Sequence, residues 1–351
     1  PTGFFLEMEQ ALSSLGAPTL PEAEMERGLE MACQRLLSLG VTSVHEATPS
    51  NALAHWDRLR SMEEWGRLPL RVYKMVGPDD LDELHRRDLF FGAGDPGLSI
   101  GAVKIMLNET GDRVLPDRDV LEEQVYAAHQ AGYQVAFHAV EEGGIEAALD
   151  AVEAALRRSL DDAPHVAALG LRLQDHRHRI EHCGVCPPEL VRRIRALGLA
   201  VVTQPGFIAE HGERYLAQVP ESKQPWLYPI AALAQAGIKV AFGSDCPVAP
   251  PGPLAAIGAA VTRRAGNGSL VSPRQRVALL EALVMHTAAG AYASSDEHDR
   301  GSIAPGRLAD LVLLDTDLLE TPAEAIGDTG VEWTMIGGAM VWERSSTAAA
   351  G

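Results

Sequence analysis

Four side chains of ligating type stand at the ends of short apolar runs. They are Lys104 in Ala102-Val103-Lys104-Ile105-Met106, His138 in Val135-Ala136-Phe137-His138, His182 in Arg179-Ile180-Glu181-His182, and Asp245 in Ile238-Lys239-Val240-Ala241-Phe242-Gly243-Ser244-Asp245. Apolar runs of that length fit buried strands. Pro247 cannot continue a ladder and Gly243 loosens the backbone before it, so Asp245 is expected at a strand exit, where α/β folds place their chemistry. Imidazole and carboxylate groups converging there can hold a metal or move a proton. Each residue also has a plainer reading. A strand-end aspartate can cap a helix or form a turn, a lysine in an apolar strand can snorkel or pair with a carboxylate, and a buried histidine can simply satisfy core hydrogen bonds. Four such strand ends in one chain argue for one site.

The elements that must position these residues alternate along the chain. Strand-like runs begin near residues 41, 70, 100, 133, 179, 199 and 238. Helical spacing lies between most of them, as in Met25, Leu29, Ala32, Leu36 and Leu39, or Leu121, Val125 and Ala128 behind a capping Asp117. Such alternation calls for parallel strands joined by crossover helices. No Gly-x-Gly-x-x-Gly follows the early strands, which removes the dinucleotide reason for an open sheet. Ligating residues spread over several strand ends favour an eight-fold barrel, of which seven strands are visible. Ser272-Pro273-Arg274-Gln275 is expected to open a helix reaching about Tyr292. Beyond it, Ala309 to Asp315 reads as a strand, and Trp333 to Ile336 with Ala339 to Trp342 reads as a hairpin turned by Gly337-Gly338. The division expected is a barrel over 1–300, holding strands two to eight, and part of a small antiparallel β subdomain over 301–351.

Composition narrows the partners. The chain has 351 residues, 46% hydrophobic and 22% charged, with 30 basic against 48 acidic residues for a formal charge of -18. That balance speaks against nucleic acid or an anionic membrane surface as partner. No apolar run approaches the ~18 residues of a membrane span, and no signal peptide is visible. Four scattered cysteines, Cys33, Cys183, Cys186 and Cys246, suit a reducing compartment, so a cytoplasmic protein acting on a small molecule is expected, with room for a homo-oligomer. The first residues are Pro1-Thr2-Gly3 with no methionine, so the numbering is expected to start inside a longer protein.

Gly243-Ser244-Asp245-Cys246-Pro247-Val248, Arg179-Ile180-Glu181-His182, Val103-Lys104-Ile105 and Gly301-Ser302-Ile303-Ala304-Pro305-Gly306-Arg307-Leu308-Ala309-Asp310-Leu311-Val312 resemble, in this order, the motifs of the metal-dependent amidohydrolases. The branch they are most similar to is amidohydrolase family 3, the YtcJ-like hydrolases. The resemblance runs from Thr2-Gly3-Phe4-Phe5-Leu6-Glu7 through Gly40-Val41-Thr42-Ser43-Val44-His45 to Val341. It implies a TIM-type (β/α) barrel with its first strand missing. It also implies a divalent metal, zinc by expectation, as one or two ions. Lys104 would be the lysine carboxylated by carbon dioxide to a metal-bound carbamate, His138 and His182 metal-binding histidines, and Asp245 both ligand and general acid-base. The reaction implied is hydrolysis of a carbon-nitrogen bond, a non-peptide amide, through metal-activated water. A deaminase on the same scaffold and a non-catalytic barrel remnant stay open as alternatives.

The first-strand His-x-His of the family has no counterpart here, so this stretch by itself is expected to be inactive. His176-Arg177-His178 has that form, yet it lies roughly 13 to 20 Å before His182 on an extended run, too far to share its metal. Cys183-x-x-Cys186 has no second cysteine pair and reads as structural. Glu181 is expected to point away from His182's face into an ion pair. His45, Glu46 and Gln204 are candidates for lining the pocket. The loops Asn108-Glu109 and Val140-Glu141-Glu142 depart from the family pattern and would bear on substrate identity. Pro205 to Pro225 reads as a long loop, either a lid or a surface excursion.

Overall fold

In the computed structural model the described residues are 21–48, 52–110, 113–161 and 175–345. The Thr2 to Glu7 segment lies outside them.

Seven parallel strands form one curled sheet in the order in which they occur. They are β1 (Ser43–Glu46), β2 (Arg71–Val76), β3 (Leu98–Met106), β6 (Val135–Ala139), β7 (Arg179–His182), β8 (Ala200–Thr203) and β9 (Val240–Phe242). Each starts within about three residues of its sequence expectation, because apolar β-branched runs between helical stretches are distinctive. A short hairpin, β4 (Asn108–Thr110) and β5 (Arg113–Leu115), rises from the end of β3. The helices are α1 (Glu22–Leu37), α2 (Leu53–Glu64), α3 (Leu81–Arg86), α4 (Arg118–Gln130), α5 (Glu142–Asp161), α6 (Pro188–Leu197), α7 (Gly206–Gln218), α8 (Ile230–Gln235), α9 (Pro253–Thr262), α10 (Leu279–His286) and α11 (Ala288–Ala293), of which α2 to α8 lie between strands of the sheet. Among the described residues β1 and β9 each pair on one side only, so the sheet curls as a barrel without closing. The core lies between sheet and helices: Ile105, Val125, Phe137, Leu149, Val152, Ile180 and Ile194 are at most 2% exposed.

The tail forms a separate three-stranded antiparallel sheet, β10 (Leu311–Leu314), β11 (Val331–Ile336) and β12 (Ala339–Glu343). Its hairpin turns where expected, with Gly337 and Gly338 at φ 58° and 83°, the paired left-handed residues that a tight hairpin demands. This sheet is fastened to the barrel by Arg71, whose guanidinium grips the Asp310 carboxylate through Nε at 2.6 Å and Nη2 at 2.9 Å. Thr334 adds a bond to the Leu37 carbonyl at the end of α1.

Three expectations change. Pro205 to Pro225 is not a loop: α7 fills most of it, because Phe207 and Ile208 find an apolar cluster with Tyr228, Ala265 and Val271. Ser272 does not open the next helix. Its backbone is left-handed (φ 46°), its hydroxyl bonds the Gln224 carbonyl, and Gln275 accepts from Ala232 N, so tertiary bonds hold a single 3₁₀ turn and α10 begins at Leu279. Asp117 sits at the start of α4, yet Arg113 takes its carboxylate at 2.9 Å in place of the helix amides.

Candidate active site

His138, His182 and Asp245 stand at the C-terminal ends of β6, β7 and β9, and Lys104 stands on β3 two residues before its end. β6 delivers His138 and β7 delivers His182 beside it, with ring centroids 4.5 Å apart and planes at 71°. The exit of β7 explains the approach. His182 and Cys183 are left-handed (φ 73° and 54°), and Cys183 N donates to the Ala139 carbonyl at 3.0 Å, tying the turn to the exit of β6. Thr203 Oγ1 grips the His182 carbonyl at 2.8 Å. The left-handed turn interrupts strand alternation, which corrects the orientation expected for Glu181. Arg179 and Glu181 share the inward face, and Arg179 crosses the interior to reach His45 on β1 at 3.1 Å. The expected ion pair is present at 2.6 Å between Arg179 Nε and Glu181 Oε1, both side chains almost wholly buried.

His182 is held in one orientation. Its Nδ1 lies 2.9 Å from Gln204 Oε1, an atom that can only accept, so Nδ1 carries the proton and Nε2 keeps its lone pair. Phe207, in the first turn of α7, lies parallel to the His182 ring at 6.4 Å. Burial, with the neighbouring Lys104 charge, pushes His138 down to about 4. Burial pushes His182 well below its ordinary value, aided by His138 and Lys104 and opposed by Gln204. Both imidazoles are therefore neutral at working pH, the state in which nitrogen ligates metal.

Lys104 is 5% exposed, inside the barrel on β3. Burial lowers its ammonium, and the Glu181 carboxylate is the strongest influence opposing that, with Asp245 and Glu46 adding to it. A lysine so placed is more nucleophilic than an exposed one. Asp245 leaves β9 in a left-handed conformation (φ 56°) and opens to solvent at the mouth. The surrounding rim still crowds it enough for desolvation to raise its carboxyl, with Lys104 opposing and Glu181 assisting. Lys104 and Asp245 thus each feel the other's charge and that of Glu181.

The three pocket candidates have distinct places. Gln204 orients His182. His45 lies inside the barrel against the Tyr73 ring, 4.8 Å between centroids, and its Nδ1 accepts from Arg179, which can only donate. Glu46 pairs with Lys74 at 3.8 Å and with the Thr48 hydroxyl. Lys74, 0% exposed on β2, escaped sequence reasoning, as did Phe207, because neither ends an apolar run. The departing loops pack together: Glu109 accepts from Gly144 N at the start of α5, and Glu142 pairs with Lys223 at 3.2 Å. Cys183 and Cys186 are buried free thiols. His176 and His178 are far from the mouth in function: they pack with His129 of α4 at the opposite end of the strands.

The donor chemistry suits a divalent ion, with two neutral imidazoles, one of them with Nε2 free, beside a carboxylate and a buried lysine. Among the described residues, however, no three His, Cys, Asp or Glu side chains are disposed to close on one ion.

The amidohydrolase family model matches residues 1–342. The chain belongs to the amidohydrolase family. It is similar to the N-substituted formamide deformylase of Arthrobacter pascens, with 25% identity over 99% of this chain and 66% of that protein. It is similar also to YtcJ of Bacillus subtilis, with 24% identity over 98% of this chain and 66% of that protein. Among solved structures it resembles a metal-dependent hydrolase of Pyrococcus furiosus, with 26% identity and a TM-score of 0.70 over 86% of this chain and 62% of that one. This amidohydrolase chain therefore spans just under two thirds, 66%, of the curated relatives it matches. The curled parallel sheet is the barrel the family resemblance implied, seen with seven strands among the described residues.

Proposed function

We propose that this amidohydrolase acts in the hydrolysis of a carbon-nitrogen bond in a small non-peptide amide, with a divalent metal held by His138, His182, Asp245 and Lys104, the last as its carbamate. What supports the reading is that His138 and His182 lie side by side at the exits of β6 and β7, and that the charge of Lys104 on β3 acts on both His138 and Asp245. A bound divalent ion would polarise the amide carbonyl and acidify water. The chain's own residues do the rest. Gln204 fixes the His182 tautomer, and Phe207 limits its rotation. The depressed basicity of Lys104 leaves more of it as free amine, the form that adds carbon dioxide to become an anionic oxygen donor. Asp245, whose carboxyl desolvation raises, would take a proton from water and return it to the departing amine. The formamide named in one relative supports small amides as substrate class, so N-substituted formamides head the panel to try.

A second reading has an observation of its own. The open arrangement of His, Cys, Asp and Glu donors suits a chain that holds metal weakly and is inactive by itself. Metal analysis separates the two. Purified protein is expected to carry a divalent metal that His182→Ala and Asp245→Ala each remove. Metal no higher in wild type than in these variants sinks the enzymatic reading and leaves the remnant.

A further inference from the structure

Tyr228 is a bulky residue in a left-handed conformation, φ 44°, a region side chains of its size rarely occupy. Such strain persists only where surrounding structure over-determines it, and it gathers at functional sites. Here the surroundings are unusually committed. Arg263, 0% exposed, donates to the Tyr228 carbonyl at 3.1 Å, the Leu227 carbonyl at 2.7 Å and the Val271 carbonyl at 2.9 Å. Tyr228 N donates to the Gly184 carbonyl at 2.8 Å, two residues past His182. Gly184 in turn leaves little room for a side chain, since a Cβ there would stand 3.0 Å from Val140. A buried guanidinium given wholly to backbone carbonyls is a costly way to shape a turn. What that turn fixes is the aim of one phenol.

The phenol lies beside Gly184, just past the exit of β7, and feels the Asp245 charge. Its ring stands edge-on to Phe207 at 6.0 Å, and Phe207 lies parallel to His182. Its hydroxyl is 3.2 Å from that of Tyr215 on α7. Either hydroxyl can donate in that pair, and where Tyr215 does so the Tyr228 proton is left for a third oxygen. Desolvation, with the charges of Tyr215 and Asp245, pushes the phenol well above its ordinary range, so it stays an O–H donor. At 3% exposure it would act in a water-poor setting, where a fixed donor counts for most.

We propose that Tyr228 is a further catalytic residue of this site, its hydroxyl donating to the carbonyl oxygen of the amide as that oxygen gains charge, with Tyr215, Arg263 and Gly184 as positioning residues. This rests on the hydrolytic reading above and deepens it. Because this stretch by itself is expected to be inactive, the test uses the full-length protein loaded with zinc, with a panel of N-substituted formamides and N-acetyl amines as probes. Tyr228→Phe is expected to lower kcat about 100-fold, the loss typical of a removed oxyanion donor. KM should stay within about threefold, since the bond matters in the transition state. The unfolding midpoint should stay within about 3 °C. Tyr215→Phe, which is half-buried and less able to disturb folding, should lower kcat about tenfold by releasing its partner. Asp245→Asn is the control and should abolish turnover. If Asp245→Asn is dead while Tyr228→Phe and Tyr215→Phe turn over within twofold of wild type, the inference is overturned and the hydrolytic reading stands. The inference also fails if the losses merely follow the fraction of unfolded protein. Wild type that hydrolyses nothing, or Asp245→Asn as active as wild type, overturns the reading and the inference together.

Discussion

Mild acid should loosen this protein through the histidines at the closed end of the barrel. His178 Nδ1 accepts from Val135 N at 3.0 Å, so His178 Nε2 carries the proton and donates to His129 Nδ1 at 3.0 Å. His176 Nδ1 accepts from His178 N at 2.9 Å, and its Nε2 donates to the Leu197 carbonyl at 3.0 Å. Every ring is thereby fixed as neutral, and none can take a proton without losing a bond. His129 Nε2 is left buried without a partner among the described residues, against a cavity of about 20 Å³ bordered also by Gln134, Asp175, His176 and Ser295. That is room for one water. Burial, then His176, lowers His129 from 6.5 to about 4. An unfolded His129 takes its proton below about 6.5 and the folded one only below about 4, so its contribution is complete above 6.5 and is lost as pH falls from 6.5 to 4. At pH 5 the loss works out at about 2 kcal/mol for this one ring. His129→Gln keeps a carbonyl able to accept from His178 but does not titrate. Urea unfolding at pH 7.5 and pH 5.0 should show wild type losing about 1.5–2 kcal/mol more between the two than the variant does. Equal losses in the two proteins would refute the tautomer chain and the buried neutral state it requires.

Two further outcomes follow from the mouth of the barrel. Gln204→Leu should leave the fold intact and weaken zinc binding about 10- to 100-fold, measured by competition with a chromophoric chelator, because His182 loses the acceptor that fixes its tautomer. Unchanged affinity would remove Gln204 from the site. Arg179→Met should cost about 3–5 kcal/mol in urea unfolding by leaving the Glu181 carboxylate buried alone, and Arg179→Met with Glu181→Gln should recover most of it. No recovery would mean that the contacts of Arg179 with His45 and Ala293, rather than the ion pair, carry its effect.

Much of the fold was legible because it is local. The period of apolar residues separates strands from helices, so seven parallel strands, their order of appearance and the glycine-turned tail hairpin could be read directly. The strand-end positions of Lys104, His138, His182 and Asp245 followed from where those runs stop, and the family motifs gave these residues their expected roles. Tertiary bonds overruled the local signals elsewhere. Ser272 has the pattern of a helix cap, yet the Gln224 carbonyl takes its hydroxyl. Pro205 to Pro225 has the composition of a loop, yet a patch of Phe207, Tyr228 and Val271 makes a helix there worth burying.

The site divides along the same boundary. Residue types and strand ends are properties of the chain's own order, so the strand-end places of Lys104, His138, His182 and Asp245 were visible before any coordinates. Orientation was not. Glu181 faces inward and His182 swings to His138 because a left-handed turn at residues 182 and 183 is tied to Ala139, more than forty positions earlier. His129 meets His178 across 49 residues, and Arg263 shapes the turn of Tyr228 across 35. Bonds between partners that far apart leave no periodic trace in a sequence, because each depends on how the whole sheet curls and on which groups that curl leaves without water.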